Sequence, residues 1–129
     1  MGYVFRVALM DEPIRFIEHK GKQILLLDFS HANADEMLLL LEELRIMVAQ
    51  HPRGSLVTLS DMTGATVDHV VATKIKEVLT LDRPFVKKTA WVGSESIAHA
   101  FMENFGTFSQ REIATFKTRE EAMDWLVGE

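Results

Sequence analysis

The order of apolar runs along this sequence predicts an α/β fold. The expected architecture is a mostly parallel central sheet of about five strands, with an N-terminal β-hairpin and four helices in a single domain. Three observations carry this expectation. Two strand-like segments, Ile14–Lys20 and Gln23–Phe29, flank the tight-turn signal Lys20-Gly21-Lys22, and so short a connection joins antiparallel strands. Gln23–Phe29 is almost continuously apolar, the mark of a strand covered on both faces. Beyond it, strand-like and helix-like segments alternate, which calls for parallel strands joined by crossovers.

In order, residues 1–12 (MGYVFRVALMDE) carry Val4, Phe5, Val7 and Leu9, either an added edge strand or an arm that packs on a partner. Residues 1–13 are set apart on this ground from a single α/β domain over 14–129. Ile14 and Phe16 share one face of the first strand. Asn33 and Glu36 have capping-box spacing, and Met37, Leu40, Leu41, Leu44, Met47 and Val48 follow as a helical stripe that His51-Pro52 and Gly54 end. Leu56–Ser60 is a central strand. Val67, Val70, Val71, Ile75, Val78 and Leu79 form a second stripe, ended by Asp82-Arg83-Pro84. Phe85–Val92 is the next strand. Ile97, Phe101 and Phe105 face inward from a third helix that Gly106 closes, Glu112–Phe116 is a last short strand, and Thr118 with Glu121 caps a helix bearing Ala122, Trp125 and Leu126.

Composition narrows the function. A chain of 129 residues, 47% of them hydrophobic, is enough for one real core. A net charge of −5, with basic clusters no larger than Lys20/Lys22 and Lys87/Lys88, argues against a nucleic-acid-binding face. Without cysteine there is neither a disulfide nor a thiolate metal site. No apolar run is long enough for stable membrane insertion, and the N-terminus lacks the pattern of a signal peptide, so a soluble cytoplasmic protein is expected.

The stretch Ser55–Asp68 is where function is expected to collect. It reads as a buried strand, a polar turn and a helix start, and ligands of α/β folds gather beyond the carboxyl ends of strands. Asp61, Thr63 and Gly64 occupy that turn, with Gly64 supplying the sharp bend and Thr66 or Asp68 the helix cap.

Gly21–Ser30, Leu59-Ser-Asp-Met-Thr-Gly64, Arg83-Pro-Phe-Val-Lys87, Trp91-Val-Gly93 and Glu120–Leu126, in that order, resemble the SpoIIAA-like proteins, small stand-alone bacterial members of the STAS/SEC14-type domain group. The resemblance spans roughly residues 14–127. It implies a helix-covered sheet working in protein–protein signalling rather than catalysis, without a cofactor. In the anti-sigma-factor antagonists of the group, a partner kinase phosphorylates a hydroxyl residue in an Asp-Ser-Ser-Gly turn. Asp61 and Gly64 match the outer positions, and Thr63 matches the phosphoacceptor. Met62 replaces the first Ser, and Ala65-Thr66 departs from the usual Leu-Gly.

Plainer and rival readings stand beside this one. Asp61 and Thr63 also serve as ordinary turn residues satisfying local backbone groups. Ser30-His31, Ser60-Asp61, His69 and Ser94 assemble a hydrolase reading, but no Gly-x-Ser-x-Gly elbow is present. The five histidines show no metal-ligand spacing, so no metal is expected. Phe101, Met102, Phe105 and Phe108 suggest a pocket for an apolar, lipid-like small molecule, the SEC14 side of the resemblance. A homodimer competes for the arm, the edge strand and the Phe-rich helix, and the protein partner itself is not identified by the sequence.

Overall fold

A computed structural model describes residues 12–128, so the expected arm falls outside the described residues except at its last positions. Strand β1 (Ile14–His19) pairs antiparallel with β2 (Lys22–Asp28). Lys20 and Gly21 between them have φ of 53° and 80°, the left-handed pair that a two-residue hairpin loop requires. Pro13 extends the pairing by accepting the Asp28 N–H at 2.7 Å. Strands β3 (Leu56–Asp61), β4 (Val86–Val92) and β5 (Ala114–Phe116) follow in parallel, giving the sheet order β1-β2-β3-β4-β5.

Both faces of the sheet are covered. On one face Leu25 and Leu27 pack with α1 (Ala34–Val48), α2 (His69–Asp82) and α3 (His99–Ser109), through Met37, Leu41, Val71, Ile75, Val78 and Phe105. On the other, Ile24, Leu26, Leu59 and Ala90 pack with Ala122 and Leu126 of α4 (Arg119–Val127). The alternate residues of β2 thus serve two cores, which explains its unbroken apolar run. The expected α/β class, hairpin, five strands and four helices are all present.

Helix starts follow the caps. Asn33 and Glu36 form a reciprocal box at 2.8 and 2.9 Å, and Thr118 Oγ1 accepts the Glu121 N–H at 3.1 Å. For α2 the cap is Asp68, whose Oδ1 accepts the Val71 N–H at 2.8 Å. Thr66 has no capping role; its N–H donates to Ala32 O at 2.9 Å.

Two expectations need correction. The helix begins at His69, and Val70 in its first turn points outward, 64% exposed. Gly106 does not close α3; the helix runs to Ser109 and ends at Gln110, with φ 58°. A Cβ at 106 would lie 3.3 Å from Arg111 O, so the glycine makes room for the chain as it turns back. On α4, Trp125 is 40% exposed and lies between Phe116 and Lys88. No described helix is long and apolar enough to cross a membrane.

Candidate functional site

The carboxyl ends of β2 and β3 carry the same local structure twice. Asp28 and Asp61 lie opposite each other in register. Asp28 Oδ1 accepts the Ser30 N–H at 3.1 Å and the Ser30 hydroxyl at 2.6 Å. Asp61 Oδ1 accepts the Thr63 N–H at 3.0 Å and the Thr63 hydroxyl at 2.7 Å. Each is an Asp-x-Ser/Thr turn in which one carboxylate oxygen takes both donors two residues on. The turns are joined through their backbones, Phe29 N–H donating to Asp61 O at 3.0 Å and His31 N–H to Thr63 O at 2.8 Å.

The remaining carboxylate oxygens converge on one cation. Arg119 Nε donates to Asp61 Oδ2 at 2.8 Å, and Arg119 Nη2 lies 3.3 Å from Asp28 Oδ2. Burial alone would raise the Asp28 pKa, but the Ser30 bonds and the Arg119 charge outweigh it and hold the carboxyl below its ordinary value. Burial likewise opposes charge on Arg119, while the two carboxylates raise its pKa. Two aspartates at this edge thus share a single cation.

Two glycines set the shape. Gly64 (φ 67°) faces His31, and a Cβ there would collide with Nδ1 and lie 2.9 Å from Cε1. Gly93 (φ 75°), after β4, faces Thr63; a Cβ would collide with Oγ1 and lie 2.6 and 2.7 Å from the backbone N and Cα. Met62, between Asp61 and Thr63, is 1% exposed and anchors the turn in the core. Thr63 remains exposed.

Of the residues expected from sequence, Asp61, Thr63 and Gly64 come together, and Thr66 lies outside the cluster. Asp28, Gly93 and Arg119 were not anticipated, and Ser30 was considered only for hydrolysis. One signal was available: a cation in the first turn of a helix opposes the helix dipole, so Arg119 required another reason to be there. The hydrolase constellation does not assemble. Among the described residues no serine hydroxyl bonds a histidine: Ser30 bonds Asp28, Ser60 is buried, and His69 packs edge-on against Phe101 at 5.2 Å. No three His, Asp or Glu among the described residues are grouped to hold a metal ion.

The expected Phe-rich group does not surround one space. Phe105 is fully buried against Trp91 and Phe101, Phe101 and Met102 pack on the core, and Phe108 is 59% exposed beside Lys76. A small cavity of about 30 Å³ lies instead under α1 and α2, lined by residues including Met37, Leu41, Ile75, Thr58, Asp82 and Arg111. It has room for roughly two waters. Thr58 and Thr89 hydroxyls bond each other at 2.7 Å beside it. Burial pushes the Asp82 carboxyl up to about 7, against the attraction of Arg111 and Arg45.

Comparison with known proteins comes in three parts. A family model described as SpoIIAA-like matches residues 8–127. No curated protein matches the sequence. Among solved structures, an uncharacterised protein with a SpoIIAA-like fold from Shewanella loihica PV-4 superposes with a TM-score of 0.67. It is 16% identical, and the match covers 88% of this chain and 91% of that one.

Proposed function

The chain belongs to the SpoIIAA-like family, and from that premise we propose that it is a non-enzymatic regulatory domain switched by phosphorylation at Thr63. The family is generally non-enzymatic, and its domains mediate protein interactions. The observation that supports the switch is the bond from the exposed Thr63 hydroxyl to Asp61 Oδ1, whose other oxygen is held by Arg119.

The proposed chemistry is a phosphoryl transfer from a nucleoside triphosphate on a partner kinase. The Thr63 Oγ1–P bond forms as the bond to the departing nucleoside diphosphate breaks, and the hydroxyl proton leaves to a base of the kinase. Asp61 orients the hydroxyl beforehand. The product no longer donates a hydrogen bond and carries about two negative charges beside two carboxylates. Arg119 then exchanges an aspartate for the phosphate, because a phosphate offers more charge and more acceptors. Since Arg119 begins α4, the exchange alters how that helix is held on the sheet, which is the change a partner reads.

The test is mass spectrometry of the protein purified from its own cells, with hydrogen exchange on Thr63→Glu. One phosphate mapped to Thr63, with faster exchange in the first turn of α4 in the variant, supports the reading. Phosphate at other positions only, or none under any growth condition, ends it. The apolar-ligand alternative has less support, since none of Phe101, Met102, Phe105 and Phe108 lines the cavity under α1 and α2.

A further inference from the structure

At the opposite end of the sheet the fold gathers positive charge that the sequence leaves scattered. A groove of about 450 Å³ is lined by Arg83, Lys87, Lys88 and Arg111, with Glu112 as its one carboxylate and Trp125 as an apolar wall. Arg83 closes α2, Lys87 and Lys88 open β4, and Arg111 precedes β5. Strand β5 pairs with β4 at Ala90–Val92, leaving the first half of β4 beside the groove. Four cations against one carboxylate stand out on a chain whose net charge is −5.

None of these cations forms a salt bridge among the described residues, although Arg111 feels the charge of the buried Asp82 carboxyl. Arg83 donates to Gln110 Oε1 at 2.8 Å, Arg111 to Leu79 O at 3.0 Å and Lys88 to Trp125 O at 2.8 Å, all neutral acceptors. Lys87 is exposed, and its side chain makes no hydrogen bond to the described residues. Elsewhere, Lys20, Arg45, Lys74 and Arg119 each meet a carboxylate. Arg111 is half-buried, and its guanidinium nitrogens other than Nη1 have no hydrogen-bond partner among the described residues. No described side-chain polar atom is both enclosed and unpartnered, so those nitrogens are in part reached by solvent. A half-buried guanidinium with donors to spare, flanked by two lysines, is the composition of a phosphate site.

We propose that the Arg83–Lys87–Lys88–Arg111 groove binds a phosphate-bearing small ligand, the phosphate group lying on Arg111 and the lysines. The excess of about three positive charges favours a phosphate monoester or pyrophosphate over a monocarboxylate, since Coulomb attraction scales with the ligand's charge. The site is independent of the Thr63 edge, at the other end of the strands. The phosphate belongs either to a soluble ester or to a lipid headgroup, and the experiment separates the two.

The experiment is calorimetric titration of the full chain with inorganic phosphate, pyrophosphate and glycerol 3-phosphate. Flotation with phosphatidylcholine vesicles, with and without phosphatidic acid, runs in parallel. The expected result is one-to-one binding, tighter for pyrophosphate than phosphate and weaker as salt rises. Affinity should fall about tenfold in Arg83→Ala/Lys87→Ala, the scale of one lost charge-assisted bond. Both positions are exposed, and circular dichroism confirms that the variant folds. Vesicle binding that needs phosphatidic acid and disappears in the double variant assigns the phosphate to a lipid. Binding that is unchanged in the double variant, or absent with every probe, overturns the proposal and leaves the lysines as guards of an open strand edge.

Discussion

Asp28 and Asp61 face each other across adjacent parallel strands, each bonded twice by the residue two positions on and both held by Arg119. Two carboxylates side by side repel unless a cation lies between them. Arg119→Met keeps the stem and removes the charge. Stability at pH 7 should fall by roughly 1–2 kcal/mol, less than for a fully buried pair because the guanidinium is 36% exposed and screened. The folded pKa of Asp28 is lowered, so its stabilising contribution is present above the ordinary carboxylate range and lost as pH falls through the folded value. The deficit of the variant should therefore shrink on acidification. Urea unfolding at pH 7 and pH 3.5 checks this, and an equal deficit at both would refute the charge-based account.

Gly93→Ala tests how closely β4 approaches the Thr63 turn. Two costs combine: φ is 75°, and the new Cβ meets Thr63 backbone atoms at 2.6 and 2.7 Å. A left-handed residue costs about 1–2 kcal/mol and overpacking about 1–3, so the expected loss is roughly 2–5 kcal/mol. Because the crowded atoms include backbone, Gly93→Ala/Thr63→Ala should recover only part of it. Full recovery in thermal unfolding would mean that the contact is made by the side chain alone.

Phe105 and Phe108 lie three residues apart in the same helix and should behave oppositely. Phe105 is fully buried against Trp91, so Phe105→Ala should cost about 3–5 kcal/mol. Phe108 is exposed, with Lys76 Nζ 5.2 Å from its ring, and Phe108→Ala should change stability by less than about 1 kcal/mol. Guanidinium midpoints of the two variants measure the contrast, and similar losses would contradict the placement of α3.

What was readable in the sequence was local. The Asn33–Glu36 box, the Thr118 cap, the Lys20-Gly21 turn and the apolar run of β2 each depend on residues a few positions apart. Their physics is therefore visible in a short window. Arg119 meets Asp61 across 58 positions, and Arg83, Lys87, Lys88 and Arg111 meet only when α2, β4 and the approach to β5 are assembled. The misplaced end of α3 has a different cause. Gly106 reads as a stop because glycine often follows a helix end, but here it lies inside α3, where a Cβ would come within 3.3 Å of Arg111 O. Val70 fits the helical period and still faces solvent, because α2 has only just begun at that point.

Asp82 closes α2 at its negative end, where the helix dipole adds to the cost of a buried carboxylate. It is 5% exposed, and burial lifts its pKa from 3.8 to about 7. The folded protein thus keeps a proton that the unfolded chain releases near pH 4. Stability from this group is fully present below pH 4 and is lost as pH rises through about 7. Asp82→Asn stays neutral throughout, so the variant should match the parent near pH 4 and exceed it at pH 8. The gap is at most about 4 kcal/mol, from roughly three pKa units at 1.36 kcal/mol each. The attraction of Arg111 and Arg45 is already included in the raised value, and it keeps the gap below that of an isolated buried acid. Urea midpoints of both proteins from pH 4 to pH 8.5 provide the comparison. Curves that run parallel across that range would show that Asp82 is ionised in the folded state without penalty.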